Sequence, residues 1–302
     1  MPDRVVVSAT EHNSVLRPLA HLEAAGRIEL VRVACDPHGY IDPQDIGRAL
    51  KPRTRLVAIC HASNVTGAVQ DVAEIARLAR EAGALVLCDA AQSLGHLKVD
   101  LDQLGVDFLA ASGHKGLLGP LGTGILAIRP GIAAELDSVR QGGTGTASES
   151  VRQPDQLPSK FEAGSPNVPG IIGLGAGIEF LNQRGLEQLE FEARKLTERL
   201  LAGLSGIGSV RLLGPPSTRA RVPLVSIQLE GYDPQEVALS LDALYRIQVR
   251  AGLHCAPLMH QSLGTLEQGG TVRFSLGVFT TPAEIDAAVA AVAEIAESQI
   301  VV

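Results

Sequence analysis

The chain has no run long enough to span a bilayer and no charged-then-apolar leader at Met1, so neither a membrane anchor nor a secretory signal is expected. Its four cysteines, Cys35, Cys60, Cys88 and Cys255, lack paired spacing, which argues against a disulfide framework and fits a reducing compartment. Basic runs are missing as well. With a net charge of −7 over 302 residues, nucleic acid is a poor main partner, and a cytoplasmic location is the expectation. No C-x-x-C or H-E-x-x-H occurs beside His254, Cys255 and His260, so no metal site is expected. There is no internal repeat. The glycines of Pro169 to Leu181 imitate a dinucleotide fingerprint, but Ile178 stands where the last glycine belongs and no strand precedes them. A Gly-rich helix packed closely on a sheet is the better reading. His21, His38 and His96 have no motif around them and read as surface or loop residues.

What is present is a repeated grammar of strand, polar turn and helix. Arg4–Ser8, Arg55–Cys60, Ala84–Cys88 and Asp107–Ala111 are short apolar runs. The amphipathic stretch Val15–Ala25 follows the first, and a helix capped by Asp71 and running to Ala82 follows the second. Near-continuous apolar strands alternating with helices predict an α/β fold, a mostly parallel sheet covered on both faces. His12, Asn64, Asp89, Gln92 and Lys115 all fall just past strand ends, where open α/β sheets bind ligands. Further on, Gly142–Pro158 reads as a long exposed loop and Leu186–Leu204 as an amphipathic helix leading into a smaller unit. That unit contains a strand at Leu224–Leu229, a helix at Pro234–Leu244, a strand at Val272–Leu276 and a closing helix at Pro282–Ser298. The expected division is a large domain over 1–183 and a smaller α+β domain over 184–302.

Lys115 and Asp89 carry the most chemistry. A lysine in a Gly-rich turn just past a strand can reach a bound carbonyl, and an acid ending the preceding strand can face the far end of the same ligand. Pyridoxal phosphate needs that pair: an amine for the Schiff base and a carboxylate to keep the pyridine nitrogen protonated.

Seven ordered motifs extend the reading. They are E-H-N-S at 11–14, S-N-V-T-G at 63–67, D-A-A-Q at 89–92, S-G-H-K at 112–115, F-E-A-G-S-P-N at 161–167, R-A-G-L-H-C-A at 250–256 and V-R-F-S at 272–275. On these the chain resembles the class V aminotransferase family of fold-type I pyridoxal-phosphate enzymes, in the cysteine desulfurase and selenocysteine lyase branch. The resemblance runs from near Val5 to the C-terminus. It implies that Lys115 is the Schiff-base residue and that Asp89 pairs with the pyridine nitrogen. It further implies that His12 stacks on the ring, Gln92 bonds the phenolic oxygen, and Ser112 and His114 hold the phosphate. Asn64 and Arg273, with Arg250 supporting, would take the substrate carboxylate. Ser165 stands where the family usually has a threonine that reaches the partner subunit's phosphate.

Cys255 separates the chemistries. Cys35, Cys60 and Cys88 lie in or beside strand-like runs and read as small buried hydrophobes. Cys255 lies instead in a turn with Gly252 and His254, between two arginines in sequence, where a nearby cation favours the nucleophilic thiolate. By resemblance it takes sulfur from L-cysteine, or selenium chemistry runs in its place, as alanine departs. The alternatives are another class V enzyme, an aminotransferase or β-lyase using Cys255 only structurally, or an inactive homologue. The resemblance also implies a homodimer, with the Gly142–Pro158 region reaching the neighbouring active site, and a protein sulfur acceptor. One departure stands out. Family members carry a segment before the Val5 strand that supplies a phosphate-cradling turn, and nothing like it precedes Pro2, so loose cofactor binding is the expectation.

Overall fold

A computed structural model describes residues 2–298. The large sheet is built from β1 (Asp3–Ser8), β2 (Ile28–Val33), β3 (Thr54–Cys60), β4 (Leu85–Asp89), β5 (Phe108–Ser112) and β6 (Gly124–Ile128), in spatial order β2-β1-β3-β4-β5-β6. Every neighbouring pair is parallel except β5–β6. The strands form where the sequence supplies β-branched and apolar side chains that are buried on both faces: Val5, Val6, Val7, Val57, Ile59 and Val86 are all buried.

Helices cover both faces. On one, α2 (Pro43–Ala49) and α3 (Val72–Glu81) pack Ile46, Ile75, Ala76 and Ala79 against Val6, Val57 and Val86, with the short α4 (Leu101–Leu104) beside them. α3 begins where Asp71 accepts from the Glu74 N–H, and its buried residues recur at 72, 75, 76 and 79, the spacing of one helical face. On the other face α1 (Asn13–Ala24) lays Leu16 against Val5, Val7 and Ala58.

From 129 to 167 the only regular element is a 3-10 turn at Ala133–Glu135, in accord with the long loop read at Gly142–Pro158. The Gly-rich helix is real: α5 (Val168–Arg184) starts at Asn167, whose side chain accepts from the Gly170 N–H. Its close contact differs from the expected one. A Cβ on Gly177 would lie 2.4 Å from the Leu117 carbonyl oxygen, so the helix is seated on the segment that follows Lys115.

The second sheet, built from β7 (Val210–Leu213), β8 (Leu224–Leu229), β9 (Arg250–Gly252) and β10 (Thr271–Ser275), is antiparallel in the order β7-β8-β10-β9. α6 (Leu186–Ser205), α7 (Pro234–Tyr245) and α9 (Pro282–Ser298) share a core with it through Leu200, Leu204, Ile227, Leu241 and Val292, while α8 (Pro257–Ser262) lies beside α1. β2, β6, β7 and β9 and the helices α2, α4 and α8 are additions to the sequence reading. β2 carries charged Glu29 and Arg32 because it is an edge, and β6 opens directly from a Gly-rich turn that hides it.

Candidate active site

Four parallel strands deliver polar residues to one edge. β1, β3, β4 and β5 end at Ser8, Cys60, Asp89 and Ser112, side by side. The segments after them bring His12, Asn64, Gln92 and Lys115 into the wall of a cavity of about 870 Å³ that Asp89 and Ser112 also line. β6 adds Ile125 and Leu126, and the end of the long loop adds Leu157, Phe161 and Glu162 to the same wall.

Each polar group is held by local structure. Asp89 Oδ1 accepts from the Ala91 N–H at 2.9 Å. His12 is the N-cap of α1, its Nδ1 accepting from the Ser14 N–H at 3.0 Å, which fixes the ring and uses Nδ1 as an acceptor. Burial lowers the His12 pKa, and the Lys115 charge pushes the same way while Asp89 opposes. Burial also lowers the Lys115 pKa; Asp89 opposes this, and Arg273 and Arg250 add to it. The backbone around Lys115 is tight: a Cβ on Gly116 would stand 2.4 Å from the Leu94 carbonyl oxygen.

Cys255 arrives from the second sheet. It follows β9 in a turn in which both His254 and Cys255 have left-handed backbones, at φ 49° and 58°. The Asn13 N–H donates to the Cys255 carbonyl at 2.7 Å, which brings this turn against the start of α1 beside His12. Arg250 Nη2 donates to the Cys255 thiol at 3.7 Å. Arg273 is half-buried on β10, where its Nη1 donates to the Asn64 carbonyl at 2.9 Å, and Asn64 Nδ2 donates to the His254 carbonyl at 2.6 Å. Of the residues singled out from sequence, Cys255, Arg250, Arg273, His114 and Ser165 do not line this cavity; Arg250, His114 and Ser165 are exposed, and Cys255 and Arg273 are half-buried.

Two further groups sit at this edge without having been singled out. Glu11 is fully buried, with Oε1 accepting from Ser8 Oγ at 2.6 Å and from the Cys60 N–H at 2.7 Å. Cys60 lines the cavity, and its thiol lies 3.1 Å from Thr10 Oγ1. Glu11 opens the E-H-N-S motif and Cys60 ends a strand, so position relative to the strand ends was the available signal for both. His96, expected at the surface or in a loop, is half-buried, which lowers its pKa.

The donor set fits pyridoxal phosphate, which asks for an amine, a carboxylate and an aromatic or amide surround in one enclosure; the cavity holds each. A lysine and an acid at the carboxyl edge of a parallel sheet, met by groups from a smaller antiparallel sheet, define a fold-type I pyridoxal-phosphate enzyme.

The comparisons give the family. The family model "Aminotransferase class-V" matches residues 2–288. A probable cysteine desulfurase of Methanothermobacter thermautotrophicus is 42% identical over 286 residues, covering 94% of this chain and 70% of that protein. A cysteine desulfurase of Escherichia coli is 35% identical over 288 residues, covering 94% and 69%. Among solved structures, the apo cysteine desulfurase of Thermococcus onnurineus superposes with a TM-score of 0.91 at 34% identity, covering 98% of this chain and 73% of that one. The chain belongs to the class V aminotransferase family.

Proposed function

We propose that the chain is a pyridoxal-phosphate-dependent cysteine desulfurase that moves sulfur from L-cysteine to Cys255 and releases L-alanine. The observation that carries this is the Cys255 turn, seated against α1 beside His12 with Arg250 in contact with the thiol. The naming of the relatives as cysteine desulfurases supports it.

In this reading Lys115 is the cofactor-bearing amine, Asp89 the partner of the pyridine nitrogen, and His12 the stacking ring. Gln92 and Ser112 complete the cofactor site within the cavity, the exposed His114 and Ser165 would meet a phosphate only where a second subunit closes the site, and Asn64, Arg273 and Arg250 take the substrate carboxylate. When bound, pyridoxal phosphate supplies a sink for the electron pair left on the substrate's α-carbon. Lys115 serves as the base at that carbon, because burial favours its neutral amine. His12, with Nδ1 already accepting a bond, keeps its remaining proton on Nε2 and stays neutral. Arg250 Nη2, donating to the Cys255 sulfur at 3.7 Å, orients it. As the thiolate, Cys255 attacks the substrate sulfur: the new S–S bond forms as the Cβ–S bond breaks, Cβ keeps the electron pair and takes a proton, and the proton that Lys115 removed returns to the α-carbon, completing alanine. The products are alanine and a Cys255 persulfide, with atoms and electrons balanced. Selenocysteine would enter by the same contacts, and a protein thiol would receive the sulfur.

A homodimer belongs to the proposal. Val168, Ile171 and Ile172 at the start of α5 are all half or more exposed, an apolar surface suited to a second copy. So does the division into a domain over 1–183 and another over 184–302, which falls where α5 ends and α6 begins. Among the described residues no helix is long and apolar enough to cross a membrane, and all four cysteines are free; a cytoplasmic setting accords with the free thiols.

Incubation with cysteine and cofactor followed by peptide mass spectrometry tests the reading. A sulfur added to Cys255, lost in Cys255→Ala together with alanine production, is the expected result. Full-rate turnover of cysteine by Cys255→Ala would overturn the reading, with pyruvate assigning the chain to a β-lyase and mercaptopyruvate to an aminotransferase.

A further inference from the structure

We propose that His254 is a positioning residue for persulfide formation, its buried imidazole fastening the strained turn of Cys255 to the strand that carries Arg273. The inference rests on the desulfurase reading of Cys255.

Two consecutive non-glycine residues in the left-handed region are unusual, and such a conformation persists only when its surroundings over-determine it. Here they do. The carbonyl of His254 is held by Asn64 Nδ2 and that of Cys255 by the Asn13 N–H. Those two bonds fix the peptide groups but leave the tilt of the turn against the sheet open. The side chain of His254 supplies that constraint: Nε2 lies 2.9 Å from Thr271 Oγ1. Thr271 pairs with Gly252 across β9 and β10, and two residues further along the same strand is Arg273. The backbones meet closely at this point, for a Cβ on Gly270 would lie 2.2 Å from the Gly252 carbonyl oxygen. One bond therefore ties the nucleophile's turn to the strand bearing a carboxylate-binding arginine.

Simple packing does not account for a histidine here. His254 is 2% exposed, and its Nδ1 has no hydrogen-bond partner among the described residues. A second buried ring, His260, stands 5.6 Å away between centroids, with its Nδ1 2.8 Å from Thr265 Oγ1. Burial with an unpartnered nitrogen is unfavourable, and an aliphatic side chain would fill the site without that cost. The Thr271 bond is what the imidazole contributes.

The test compares wild type with Thr271→Val, with the His254→Leu/Thr271→Val pair, in which both partners become apolar, and with His254→Gln, whose amide can reach Thr271. Thermal midpoint, cofactor and cysteine affinity by absorbance titration, and single-turnover persulfide formation on Cys255 are measured for each. A misplaced nucleophile predicts that the pair keeps its midpoint and both affinities while persulfide formation slows by ~100-fold, with Thr271→Val slowed in the same sense and His254→Gln restored most of the way. Wild-type rates in Thr271→Val or in the pair would overturn the inference. So would a loss confined to cysteine affinity, or a His254→Gln variant no better than the pair. If the pair does not fold, Thr271→Val alone decides by the same measurements. Absence of persulfide in wild type would overturn the desulfurase reading and this inference with it; persulfide formed equally by all variants would overturn the inference alone.

Discussion

Glu11→Gln is expected to stabilise the protein at neutral pH, and to do so increasingly as pH rises. Glu11 is fully buried at the carboxyl edge of β1, and burial, with the Asp89 charge adding to it, raises its pKa from 4.5 to about 8 against the opposing bonds from Ser8 and Cys60. At pH 7 the native carboxyl is protonated while the unfolded one is ionised, so folding takes up a proton. The sign follows: stability from this group is fully present below pH 4.5 and is lost as pH rises toward 8. At ~1.4 kcal/mol per pH unit, the loss reaches about 3 kcal/mol at pH 7. Glutamine keeps an oxygen where Oε1 accepts from Ser8 and Cys60 and puts its NH2 at Oε2, which has no partner among the described residues. That unpaired amide costs ~1–2 kcal/mol, leaving a net gain of about 1–2 kcal/mol at pH 7. Urea unfolding of cofactor-saturated wild type and Glu11→Gln between pH 6.5 and 8 measures it, and taking the difference between the two cancels the slope that the buried histidines, common to both, add near pH 6.5. The stability difference should widen by ~1.4 kcal/mol per pH unit near pH 6.5, the slope falling to about half of that at pH 8. Parallel curves across that interval would show that Glu11 is ionised in the native protein and would refute the reasoning.

Acid should destabilise the protein through its histidines. Burial lowers His61 and His260 from 6.5 to about 4, and His254 to about 3, so the stability of these neutral rings is present above pH 6.5 and lost as pH falls through that range. A thermal midpoint that drops between pH 6.5 and 4, and drops less steeply in His61→Gln, is the expected outcome. Gly116→Ala should loosen the cofactor site, because its Cβ would meet the Leu94 carbonyl oxygen at 2.4 Å and the His96 ring at 3.0 Å, and the adjoining Lys115 must move. Cofactor absorbance after gel filtration reads this out, and retention equal to wild type would show that the turn yields without moving the lysine.

Much of the fold was legible because its signals are local. Strand runs such as Arg4–Ser8 and Arg55–Cys60 are buried on both faces and so read as unbroken apolar stretches, and caps such as Asp71 sit one residue before a helix. The edge strands β2 and β6 were not legible, since an edge need be apolar on only part of its surface. Likewise the chemistry of Lys115 and Asp89 could be read from their places past strand ends, because a parallel sheet sends all such ends to one side.

By itself, then, the sequence determined the alternation of strands and helices, the edge at which polar residues gather, and the residue types able to serve one cofactor. The periodicities of 2 and 3.6 and the turn residues carry that information over a few neighbours at a time. Only the tertiary structure decided which distant groups meet. Asn64 reaches the His254 carbonyl across 190 residues, and Arg273 reaches Asn64 across 209. Asn13 is set against Cys255 by the packing of α8 beside α1. Burial decided the charge states as well. Glu11 is an ordinary acid in sequence and a neutral one in the fold, because the free energy of an ionised carboxyl depends on the water and partners around it, and the packing of β1 against β3 leaves it only two donors.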